Sequence, residues 1–175
     1  MKGLKKLNKA IKMEVEKFGI EKISMSDWEW RMDNHSIAYT LLENRMEDIF
    51  FLKFVKERFG YKPLNSFMLS LFHEIGHNMT YEDLMESDVI YDFCQAEKNR
   101  IEKEMASIET KKQAKKLEYQ YFNLPDEIVA TAWAVDYMET HEEEIMEMWE
   151  RIKKEIVEFM KKTLTQKNKC SIITM

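Results

Sequence analysis

Glycine and proline are scarce: four glycines and two prolines in 175 residues. Sharp turns and left-handed backbone depend on these residue types, so their scarcity argues against an all-β or low-complexity chain and for a soluble, helix-rich one. Cysteine is scarce too. Cys94 and Cys170 lie far apart and form no Cys-x-x-Cys pair, which argues against a disulfide scaffold and for a reducing compartment. Positive charge does not dominate, since the net charge is −5, so overall electrostatics attract neither nucleic acid nor an anionic membrane. Long apolar runs are missing as well. Nothing approaches the length that spans a bilayer, the N-terminal stretch lacks the apolar core of a secretory leader, and Cys170 is misplaced for a prenylation box. These absences predict a cytoplasmic protein with no nucleic-acid and no membrane partner.

What is present is apolar periodicity. Apolar residues make up 45% of the chain and charged residues 34%, enough for one real core, and we read a single domain over 1–165 with a flexible tail over 166–175. Leu4, Leu7, Ile11, Val15 and Phe18 recur at steps of three and four, which predicts an amphipathic helix ending at Gly19. Residues 20–42 change period. Ile23, Met25, Trp28 and Trp30, then Asp33-Asn34, then Ile37, Tyr39 and Leu41 read as an antiparallel hairpin with His35 at its turn.

Phe51, Phe54, Val55 and Phe59 predict a helix closing at Gly60, with a strand over Ile49 to Phe54 as the competing reading. A helix is predicted at roughly 65–79 after Pro63. Residues 81–121 hold no glycine or proline and read as a long charged insert, a solvated helix or helical pair projecting from the core. Leu124-Pro125-Asp126 opens a largely buried helix, and a last helix follows over about 141–164.

The central motif is His73-Glu74-Ile75-Gly76-His77. His-Glu-x-x-His on a helix puts two imidazoles one turn apart on one face, where both can bind the same Zn²⁺, with the glutamate beside the metal as general base. Phe67, Met68, Leu71, Phe72 and Ile75 supply an apolar stripe that would hold this helix rigidly. Gly76 weakens the helix by roughly 1 kcal/mol relative to alanine, which suggests that another segment passes close to it. The bland alternative is a pair of incidental histidines with a neighbouring glutamate.

A catalytic zinc takes three protein ligands and a water, so one ligand is missing. Glu127, Asp136, Glu139 and His141 are the downstream candidates. Glu127 is preferred because it sits in the first turn of an otherwise apolar helix, where a buried charge needs a cation. A favourable acidic residue at a helix N-terminus is the competing account. Thr131 or Asp136 could orient a ligating histidine.

Ser70-Leu71-Phe72-His73-Glu74-Ile75-Gly76-His77 and Glu127-Ile128-Val129-Ala130-Thr131-Ala132-Trp133-Ala134 together resemble the two signatures of the ImmA/IrrE-like zinc metallopeptidases of phages, mobile elements and bacterial regulators. The resemblance covers roughly residues 66 to 79 and 124 to 138. It implies His73, His77 and Glu127 as ligands of one Zn²⁺ per chain, Glu74 as the base, and a protein substrate that is a regulator or repressor. Thr131 stands where that family commonly has Asn or Asp, and the stretch from Tyr81 to Asn123 separates the signatures by more than is usual there.

With the hairpin, the expected fold is α+β and predominantly helical, zincin-like, with a small antiparallel sheet beside the active-site helix. The expected activity is peptide-bond hydrolysis, with Tyr39, His35, Tyr121 and His141 as groups able to stabilise the oxyanion. A di-metal carboxylate bundle is disfavoured because it needs a second Glu-x-x-His, and Met32, Ser70 and Met138 stand three residues before the other histidines. The alternative of another class is a catalytically inactive regulatory or interaction protein that binds its partner through the charged helices.

Overall fold

The computed structural model describes residues 2–19, 45–63, 65–80 and 88–172. Every element in them is helical: α1 (Lys2–Val15), running into a 3₁₀ turn at Glu16–Phe18, α2 (Arg45–Phe59), α3 (Ser66–Met79), α4 (Asp88–Met105), α5 (Lys111–Phe122), α6 (Pro125–Thr140) and α7 (Glu142–Ile172). No strand occurs among the described residues. The α+β, zincin-like expectation is therefore corrected: among the described residues the architecture is helical throughout, with no sheet beside α3. Residues 20–42, where the hairpin and His35 were placed, lie outside the described residues. The competing strand at 49–54 is part of α2, because its aromatics repeat at helical and not at alternating spacing.

The chain forms two compact units, one of Met1–Leu42 with His141–Met175 and the other of Glu43–Thr140. In the first unit α1 packs against α7. Ile11 and Val15 bury their side chains on one element, and Ile145, Met148 and Ile152 on the other, each set at the three- and four-residue steps of a helical face. Gly19 ends the turn after α1 with a φ of 71°, the left-handed value that glycine adopts without a Cβ penalty. Helix α7 runs to Ile172, into the stretch expected as a tail.

The second unit is built around α3 and α6. Asn65 caps α3, its side chain accepting a hydrogen bond from the Met68 amide at 3.3 Å, which satisfies one of the orphan donors of the first turn. Phe67, Met68, Leu69, Leu71, Phe72 and Ile75 are all buried, so α3 is covered on nearly every side. Pro125 opens α6 at the position where a missing N–H costs nothing. Ala130, Ala134, Val135 and Met138 bury the inner face of that helix.

The two helices approach so closely that a Cβ on Gly76 would stand 2.4 Å from the main-chain oxygen of Ala130. This is the close passage that Gly76 predicted. The described part of the charged insert is a helical pair, α4 and α5, packed through Ile101 and Leu117 together with Leu124 of the turn that follows. It is less solvated than its composition predicts, because its Cys94, Lys98 and Ile101 face point inward.

Candidate metal centre

Helix α3 delivers His73 and His77, one turn apart, and the first turn of α6 delivers Glu127. His73 Nε2 lies 3.0 Å from Glu127 Oε2 and 3.1 Å from His77 Nε2, and His77 Nε2 lies 3.5 Å from Glu127 Oε1. Ligand atoms around a tetrahedral ion with bonds near 2.0–2.1 Å stand about 3.3–3.5 Å apart, so the three groups have the spacing of one coordination sphere. Among the described residues they are the His, Cys, Asp and Glu side chains grouped closely enough to hold a metal ion. Asp136 and Glu139 are exposed, and His141 is exposed and belongs to the other unit.

The proton arrangement tests the fit independently. The Thr131 hydroxyl donates to the main-chain oxygen of Glu127 at 2.6 Å. With its single proton used there, Thr131 Oγ1 can only accept from His73 Nδ1, 3.0 Å away. A neutral His73 then carries its proton on Nδ1 and turns the Nε2 lone pair toward Glu127 and His77. With His77 in the matching tautomer, lone pairs of two imidazoles and a carboxylate converge on one place, and a cation there satisfies all three. Phe51 of α2 braces the His73 ring edge-on, with centroids 5.0 Å apart.

Electrostatics follow from burial. Glu127 is the most enclosed charge of the cluster, its side chain 2% exposed. Burial works against its charged form, but with no ion bound His77 and His73 outweigh it when they carry protons toward the carboxylate, and hold it well below the usual range; an ion in the cluster takes the place of those protons. Glu74 is the mirror case. Part of the residue reaches solvent, but its Oε2 is shut away and accepts no hydrogen bond. Burial first, opposed by His73 and reinforced by Glu127, pushes this carboxyl up to about 7, into the range where a carboxyl can both take and give a proton at neutral pH.

Lys98 was not among the residues singled out from sequence. It reaches from α4 and places Nζ 2.6 Å from Glu127 Oε1 and 2.5 Å from Asp126 Oδ2, and it lies over the Tyr121 ring at 5.2 Å. The signal was present: Cys94, Lys98, Ile101 and Met105 step by four, three and four, so a lysine interrupts an inward stripe and must find a carboxylate there. Of the four oxyanion candidates, Tyr121 is brought to this cluster. Burial, then Glu127, Glu74 and Asp126, drive its phenol upward and keep it protonated. Tyr39 and His35 lie outside the described residues.

No protein-family model, no curated protein and no solved structure matches the chain. Among the described residues no helix is long and apolar enough to cross a membrane.

Proposed function

We propose that the chain is a cytoplasmic, zinc-dependent peptidase that hydrolyses a peptide bond in a protein substrate, with one Zn²⁺ on His73, His77 and Glu127. The observation that carries this reading is the convergence of those three groups beside a glutamate whose buried oxygen has no hydrogen-bond donor. When bound, the ion supplies Lewis acidity, polarising a carbonyl and lowering the pKa of water towards about 7. Glu74 takes the proton from the attacking water and passes it to the departing amine. Tyr121, kept neutral by burial and by the carboxylates around it, has a proton to donate to the oxygen on which charge develops. Thr131 holds His73 in the tautomer that presents Nε2. The local resemblance to ImmA/IrrE-like metallopeptidases supports the same assignment and points to a regulator or repressor as substrate.

The competing reading is a catalytically inactive interaction protein on the same helices. The Lys98 contact, which neutralises Glu127 without a metal, speaks for it. Metal content measured by mass spectrometry on protein purified without added metal separates the two. The wild type holds about one zinc per chain and Glu127→Ala little. Glu74→Gln keeps the metal and loses at least about 100-fold in cleavage of a quenched-fluorescence peptide library. A metal-free wild type, or equal metal in wild type and Glu127→Ala, would sink the peptidase reading.

A further inference from the structure

Lys98 has no role in the hydrolysis described above, yet it is placed on the carboxylate that matters most to the metal. Its side chain is 12% exposed, against 2% for Glu127 and 16% for Asp126. One ammonium bridging two carboxylates leaves this trio with a net charge of −1. That is the arrangement expected of a residue that prevents a buried anion from standing uncompensated when no ion is bound. It still leaves negative charge to attract a divalent cation. Lys98 contacts Glu127 through Oε1, the oxygen 3.5 Å from His77 Nε2, while Oε2 lies 3.0 Å from His73 Nε2 and away from the lysine contact. The lysine and an ion can therefore share the carboxylate.

We propose that Lys98 is a resident counter-cation: it holds Glu127 in place in the metal-free protein, so that the unit of residues 43–140 stays folded while the metal is absent or exchanging. The inference rests on the metal-site reading above and adds a role for the helix on which Lys98 sits. Lys98 acts through Glu127 and is a positioning residue, not a catalytic one. Removing the lysine makes the ion the only strong cation left for Glu127, and the fold then depends on it. Removing Asp126 does the opposite, because Lys98 and Glu127 then balance and the pull on a divalent ion weakens.

The test is the thermal midpoint of the full chain in excess chelator and in excess zinc, with zinc content measured on the same samples. Zinc raises the midpoint of the wild type modestly. In Lys98→Met the midpoint in chelator falls, and the zinc-induced rise is at least about twice that of the wild type. Lys98→Arg behaves as the wild type, and Asp126→Asn gives a smaller rise than the wild type. Equal zinc-induced rises in wild type and Lys98→Met overturn the inference. So does a Lys98→Met protein that stays unfolded even with zinc, or an Asp126→Asn protein with an unchanged rise. A wild type that binds no zinc defeats the metal-site reading itself, whereas a zinc-binding wild type with an unaltered Lys98→Met defeats only the role of Lys98.

Discussion

Thr131 works through geometry alone. Its hydroxyl is tied to the Glu127 carbonyl at 2.6 Å and faces His73 Nδ1 at 3.0 Å, so one side chain links the proposed histidine ligand to the backbone that carries the proposed glutamate ligand. Thr131→Val keeps the shape and removes the acceptor. A buried imidazole N–H then loses its partner, at about 1–3 kcal/mol, and the ring is free to turn or change tautomer. Loss of such an outer partner lowers metal affinity by about 10–100-fold. Zinc titration against a competing chromophoric chelator measures this, and an unchanged affinity would mean that Phe51 packing alone orients the ring.

Between helices, the closest constraint is Gly76 against Ala130. Alanine favours a helix over glycine by roughly 1 kcal/mol, so Gly76→Ala would stabilise α3 in isolation. In the fold its methyl meets the Ala130 main chain at 2.4 Å. Overpacking costs about 1–3 kcal/mol, and main chain has no rotamer with which to yield, so the upper end applies. The expected net loss is about 2 kcal/mol, read as a lower denaturation midpoint. Because separating α3 from α6 also draws His73 and His77 away from Glu127, metal content falls with it. A stability loss without loss of metal would show that the shift is absorbed away from the ligands.

For the whole molecule, pH acts through Glu14 in the unit that contains α1 and α7. Its side chain is 8% exposed and receives Arg151 Nε at 2.8 Å, with Lys17 as a second partner. Burial disfavours its charge, but hydrogen bonds from Arg151 and Lys17 prevail and hold the carboxyl below the usual range. A depressed folded-state pKa means that its contribution is fully present above the unfolded value of about 4.3 and disappears as pH falls through the folded one. Wild type should therefore melt above Glu14→Gln at pH 7, and the gap should narrow below about pH 4. Because Arg151 is half exposed, the neutral-pH gap is small, about 1 kcal/mol. A gap that is constant with pH would remove the ion pair as its cause.

The amino-acid sequence by itself determined the helices and two thirds of the site. The three-and-four spacing of apolar residues, Asn65 before α3, Pro125 at the start of α6 and Gly19 and Gly60 as stops are local features, and local features set helix boundaries. His73 and His77 were legible for the same reason, since one turn of helix joins them. Glu127 could be preferred from sequence as a charge in an apolar turn and from the local resemblance of the stretch it opens, but its place beside the histidines came from the packing of α6 on α3. The absence of a sheet among the described residues was not legible at all, and Lys98 was legible only as a break in the apolar stripe of Cys94, Ile101 and Met105, without the carboxylates it would meet. Charge pairing across distant helices has no period in the chain, because burial decides which carboxylates must find a cation, and burial exists only once the helices have packed.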